Sequence, residues 1–151
     1  EQLGTLFAGV KVTLKDVNFC MIFVAEEKLK IEMINDVPSH IGTLVKHPVL
    51  GMIDSKENIL ANKITAVSDR TLPKDIVDVY FLLKDNLKIK KALLDAESKA
   101  AGMSPLFIAK IFAEFDYTII DSEIKWVRPV SSESIKDFMN KLSADIVEGK
   151  I

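Results

Sequence analysis

Cysteine is almost absent from this chain: Cys20 is the only one in 151 residues. That excludes an internal disulfide and a cysteine zinc site, and a single thiol inside an apolar strand pattern reads as packing rather than chemistry. An excess of either charge is also missing. Twenty Lys and Arg against 22 Asp and Glu leave a net charge of −2, so no global attraction to nucleic acid or anionic membrane is expected, and only a local basic surface stays open. No apolar run has the length of a membrane span and no signal peptide is visible, which makes a reducing cytoplasm the expected setting. The phosphate-cradling patterns G-x-G-x-x-G and Walker A are missing. His40 and His47 lack paired ligand spacing, and Ser39, Ser55 and Ser68 have no partner base to make them nucleophiles. Repeats, low-complexity tracts and flexible linkers are absent as well.

What is present is an ordinary globular composition, 48% hydrophobic and 28% charged, with enough chain for one sizeable core. The first third has the two-residue period of strands. Val10, Val12 and Leu14 alternate with Lys11, Thr13 and Lys15, and residues 17–24 form an apolar strand. A polar turn over residues 25–28 leads to Leu29, Ile31 and Met33 in alternation with Lys30 and Glu32, which predicts an antiparallel pair. Residues 35–39 carry a stop signal with Pro38. A short apolar piece, 49–53, precedes the helical part, and the period changes from 2 to about 3.6 near Asp54. Asp54 or Ser55 caps a helix beginning near Glu57, and Pro73 opens a second after a break at 69–74. A third is expected over 87–101 with Gly102 as its stop, a fourth from Ser104-Pro105 to about Phe115, and a last one from Ser131 or Ser132. In that last helix Ile135, Phe138, Met139, Leu142 and Ile146 form the apolar stripe. Residues 117–130, with Trp126 and Pro129, read as irregular or short-stranded. The fold class is α+β, a small antiparallel sheet followed by a helical bundle.

Charge placed among apolar residues marks the segment 57–83. Ile59, Leu60, Ile64 and Val67 form one helical stripe, and Lys63 stands in its middle. In the next helix Asp75 and Asp78 are three apart and share a face. A lysine on a packed face needs an anion, and carboxylates among apolar residues need a cation or a metal. For Lys63, a stem packed on the core with its amine reaching water stands against a compact positive charge holding a phosphate. For Asp75, a favourable place at a helix N-terminus suffices. Asp78 would then pair with Lys74 or Arg70. The functional alternative has both acids position Lys63, Arg70 or Lys74 around a nucleotide, or reach a metal. Glu32 faces solvent on a one-sided sheet, or serves as a hard-cation ligand or base if a helix bearing Lys63 lies beside it. The lysines at 84, 88, 90 and 91 read as a solvated helix face that could touch an RNA backbone.

The block LANKITAVSDRTLPKDIVDVYFLL resembles the core of the AbiEii/AbiGii toxin family of nucleotidyltransferase-like proteins. Lys63, Ala66, Arg70, Lys74, Asp75 and Asp78 satisfy its pattern in order, with Lys74 where an arginine is common. LKIEMINDVP is similar to the strand before that block, and IKWVRPVSSESIKDF to the family's C-terminal part. The resemblance implies a partial polymerase-β-like nucleotidyltransferase domain over residues 1–84 and a C-terminal helical part over 85–151. It implies a toxin of a toxin–antitoxin or phage-defence pair that transfers a nucleotide from a nucleoside triphosphate with Mg²⁺. RNA is a possible acceptor and a cognate antitoxin a possible partner. Lys63, Arg70 and Lys74 would bind the nucleotide. Glu32, Lys63, Asp75 and Asp78 would form the catalytic set, with Glu32 as a metal carboxylate. The family's first motif, a Gly-Gly-Ser/Thr turn followed by Asp-x-Asp, has no match here: Gly4-Thr5 and Gly9 lack the acidic pair, and 15–18 holds one acid. The chain also begins at Glu1 rather than Met. The expectation is a chain lacking about the first third of the family domain and inactive alone. A non-catalytic module binding RNA or a partner, with the charges as a structural network, is the alternative.

Overall fold

A computed structural model of the chain describes residues 4–5, 7–26, 28–35 and 40–151. Two compact units result, Glu1–Pro38 and Ser39–Ile151. In the first, β1 (Val10–Lys15), β2 (Phe19–Val24) and β3 (Leu29–Ile34) form an antiparallel sheet in the order β1-β2-β3. The expected pairing of the second and third strands is met in the register Phe19↔Ile34 to Val24↔Leu29. β2 starts at Phe19 rather than Val17 because the intervening residues make a turn. The Val17 N–H donates to Asp16 Oδ1 (2.7 Å), and the Asp16 N–H donates to Phe19 O (2.7 Å). The alternation expected along β1 is broken between Val12 and Leu14 by a register shift, as a bulge does. The expected stop at 36–39, and Glu27 of the expected turn, lie outside the described residues.

The second unit opens with a hairpin that periodicity missed: β4 (Val45–His47) pairs antiparallel with β5 (Gly51–Ile53). His47 therefore ends a strand. Its Nδ1 accepts from the backbone N–H groups of Val49 (3.2 Å) and Leu50 (3.1 Å) and so ties the turn. Six helices follow among the described residues: α1 (Lys56–Arg70), α2 (Pro73–Lys84), α3 (Ile89–Glu97), α4 (Pro105–Glu114), α5 (Ile119–Glu123) and α6 (Ser132–Val147). Ser55, Ser104 and Ser131 cap α1, α4 and α6 by accepting the backbone N–H three residues on. The chain is thus of mixed α+β class, a small antiparallel sheet and then helices, with no barrel among the described residues.

Two helical expectations are corrected. α3 ends at Glu97, not Ala101, because the Ser98 hydroxyl donates back to Asp95 O (2.6 Å) and competes with further helix. The stretch 117–130 contains α5, seeded by Asp116, whose Oδ1 accepts from the Thr118 N–H (3.0 Å) and hydroxyl (2.6 Å). α5 is anchored by Ile120, which is fully buried.

One core lies among these helices. Leu60, Ile64 and Val67 of α1 meet Ile76 and Val79 of α2, Leu93 of α3, Ile108 and Phe112 of α4 and Ile135 and Met139 of α6. The few polar groups taken inside are bonded, as burial demands. Ser143 Oγ donates from α6 to Ala109 O of α4 (2.7 Å). Tyr117 O–H donates to Phe112 O (2.7 Å), and burial pushes that phenol upward from its ordinary range.

Candidate functional site

A tight reversal between α1 and α2 builds the site. α1 stops at Thr71, which takes the left-handed conformation (φ 46°), unusual for a β-branched residue. Its hydroxyl compensates by donating to Val67 O (2.7 Å). Leu72 is extended and Pro73 begins α2 with φ suited to a helix entry. Lys63, Ala66 and Arg70 follow one another at i, i+3 and i+7 on α1, and the reversal brings Asp75, in the first turn of α2, against them.

Asp75 is fully buried. Lys63 Nζ reaches its Oδ1 at 3.0 Å. Arg70 Nε donates to Oδ2 at 2.9 Å and Nη2 to Oδ1 at 3.2 Å, a two-pronged grip. Lys63 Nζ also meets Asp78 Oδ2 at 2.5 Å. Burial by itself would raise Asp75, but the hydrogen bonds from Arg70 and Lys63 outweigh it and hold the carboxyl below its ordinary value. Burial likewise works against the Lys63 ammonium, and the bonds to Asp78 and Asp75 reverse the balance and raise it. The two shifts favour the charged forms of both Asp75 and Lys63.

Several expectations change in detail. Lys63 stands on the shoulder of its stripe, not in the middle: the buried line is Leu60, Ala61, Ile64 and Val67, and the Lys63 side chain is 26% exposed. Asp78 pairs with Lys63 rather than with Lys74 or Arg70. Its side chain is 46% exposed, so it is the cluster acid that a ligand can touch, whereas Asp75 has no free surface. Glu32 belongs to β3 of the first unit, where Lys30 Nζ meets its Oε1 at 2.8 Å.

Two grooves flank the cluster. The first, of about 700 Å³, is lined by Lys56, Lys63, Asp78, Lys84, Asp85 and Arg128, with Ile59 and Phe81 among its apolar walls. The second, of about 450 Å³, shares Asp78, Phe81 and Arg128 with the first and adds Lys74, Lys125 and Trp126. Arg70 lines neither. Lys56 pairs with Asp85, and the Lys84 ammonium lies 4.9 Å from the Phe138 ring centre. Lys56, Trp126 and Arg128 were not singled out by sequence reasoning, and Lys84 was read only as part of a solvated helix face. The one available signal was two cations around an aromatic residue in 125–128, which depends on α2 lying opposite.

Asp75 and Asp78 face cations rather than a shared metal position. A Mg²⁺ ion takes oxygen ligands, protein carboxylates among them, and no group of three or more His, Cys, Asp or Glu among the described residues is placed to hold a metal. Among the described residues no helix is long and apolar enough to cross a membrane.

The family model described as nucleotidyl transferase AbiEii toxin, type IV toxin–antitoxin system, matches residues 10–150. The chain belongs to the AbiEii family of nucleotidyltransferase toxins. No curated protein and no solved structure matches it.

Proposed function

We propose that this chain supplies the nucleotide-positioning part of a nucleotidyltransferase toxin, with a nucleoside triphosphate as the ligand of the first groove. The observation that carries the reading is Lys63: an ammonium fixed by a buried carboxylate on the wall of a groove that also presents Lys56, Lys84 and Arg128. Asp75 is a positioning residue that orients Lys63 and Arg70. Asp78 is the exposed counter-ion that an incoming phosphate displaces, leaving Lys63 to the ligand. A compact ammonium suits that exchange because it carries no fixed planar geometry. Binding and orientation of a reactive triphosphate are what such a groove contributes to transfer. Residues 1–84 then correspond to the partial transferase domain and 85–151 to the helical part. Glu32 is the candidate metal carboxylate, and Arg70 and Lys74 the further cations of the nucleotide set. A cognate antitoxin is the partner that the family implies, and RNA the acceptor. Because the Gly-Gly-Ser/Thr turn and the Asp-x-Asp pair have no match in the sequence, this polypeptide alone is expected to transfer no nucleotide.

Calorimetric titration of the purified chain with each nucleoside triphosphate tests the reading. Lys63→Ala, folded by circular dichroism, is expected to lose at least tenfold in affinity. Asp78→Asn, which removes the competing anion, is expected to gain affinity. Equal affinity of Lys63→Ala and the parent, or no binding by the parent at millimolar nucleotide, refutes the reading. The second reading, a non-catalytic module, draws on the exact balance of the four-membered charge cluster, two cations against two acids. It predicts binding of a partner with no triphosphate affinity.

A further inference from the structure

The second groove gathers three cations outside the Lys63 cluster. In the first groove Lys63 is shared by two aspartates, Lys56 is held by Asp85 and Lys84 sits over aromatic rings. Lys74, Lys125 and Arg128 of the second groove have no ion-pair partner among the described residues. The acid on that wall, Asp78, is engaged by Lys63 before a triphosphate enters the first groove, so three cations face one acid in the second groove. Beside these cations lie Trp126, half-buried, and the Phe81 edge. Residues 124–130 have no regular secondary structure, so Lys125, Trp126 and Arg128 are presented from one irregular segment, with Lys74 facing them from the first turn of α2. Cations spaced around an aromatic face match a chain of phosphates with bases between them. A free triphosphate concentrates its charge at one end and has less use for cations spread along a groove.

We propose that the second groove binds a single-stranded nucleic-acid segment, a base stacking on Trp126 and the flanking phosphates meeting Lys74, Lys125 and Arg128. This deepens the nucleotidyltransferase reading, on which it rests for the role of acceptor. Asp78, Phe81 and Arg128 are common to both grooves, so the end of such a strand lies beside the donor nucleotide.

Trp126 is the only tryptophan of the chain, so its fluorescence reports on the groove without a label. Titrating the 151-residue protein with a ten-nucleotide single-stranded RNA is expected to quench that emission. Log affinity should fall against log salt with a slope of about −2, as three neutralised phosphates give on a single strand. By anisotropy of an end-labelled copy of the same RNA, Trp126→Ala should bind at least about fivefold more weakly and Trp126→Phe nearly as well as the parent. The Lys125→Ala/Arg128→Ala pair should bind at least tenfold more weakly, with a shallower slope. Lys125 and Arg128 are exposed and Trp126 packs half-buried against the core, so circular dichroism checks each fold and Trp126→Phe keeps the packing. Absence of quenching, salt-independent binding, or an unchanged affinity in the double variant overturns the proposal. The outcome is separable from that of the first groove. RNA binding that survives Lys63→Ala while no triphosphate binds leaves this site standing and removes the donor reading. The converse pattern removes this site alone.

Discussion

Asp75→Asn is the most direct test of the physics of the cluster. The substitution keeps the size of a side chain with no exposed surface and removes the charge that two cations face. Three donor contacts end on this carboxylate, from Lys63 Nζ, Arg70 Nε and Arg70 Nη2. After substitution one carboxamide oxygen still accepts, but the amide nitrogen must confront a cation. Breaking a fully buried pair by removing one partner costs about 3–5 kcal/mol. Here Lys63 retains Asp78 and Arg70 is half-exposed, so both can recover solvation or a partner. The expected loss is accordingly about 2–3 kcal/mol, below the fully buried range. For a chain of this size that lowers Tm by about 5–10 °C. Urea denaturation at pH 7 measures it.

The pH dependence gives the same test a sign. Asp75 is held below the ordinary carboxylate value of 3.8, so its stabilisation is present above that value and lost as pH falls through the folded-state one. Lys63 is raised above 10.5, so its contribution is complete below that value and fades as pH rises beyond it. The gap between parent and Asp75→Asn should be widest between about pH 5 and 10 and should shrink in strong acid as the parent carboxyl protonates. A gap below about 0.5 kcal/mol at pH 7, or one unchanged in strong acid, would refute the argument.

Two further substitutions probe the elements that hold the site. Gly42→Ala places a Cβ 2.9 Å from Ser55 Oγ at φ +74° and pushes on the hydroxyl that both caps α1 and donates to Ile41 O. The expected loss is about 2 kcal/mol from the left-handed backbone and the disturbed cap, read by urea denaturation, with Gly42→Asn milder because Asn tolerates that conformation. Thr71→Val keeps the shape and the left-handed strain but deletes the hydrogen bond to Val67 O. It should cost about 1 kcal/mol in thermal unfolding, and a neutral result would show that the hydroxyl does not stabilise the reversal.

Much of the fold was legible because its signals are local. Ser55, Ser104 and Ser131 announced helix starts, Pro73 and Pro105 marked first turns, and alternation along 29–34 set a strand with its observed limits. The misses also have physical causes. β4 and β5 are three residues each, too short for a period to declare itself. α5 is a five-residue helix, entered through a turn in which Thr118 bonds the Asp116 side chain, and is likewise too short to show a period. The end of α3 turned on a serine hydroxyl reaching back to a carbonyl, which competes with helix without changing any apolar pattern.

The sequence by itself determined the charged pattern Lys63, Ala66, Arg70, Lys74, Asp75, Asp78, the helices that carry it and, through that pattern, the family. Side-chain spacing along a helix is a property of the chain alone, so residues three, four and seven apart share a face in any surrounding. Only the tertiary structure decided which acid is buried and which is open, that Lys63 answers to both, and that Lys74 and Arg70 part company, one in the second groove and the other on Asp75. It also brought Arg128 and Trp126, some fifty residues away in the chain, to the same wall as Asp78. Burial and partner choice depend on the packing of distant segments, and no local pattern encodes the distance between two of them.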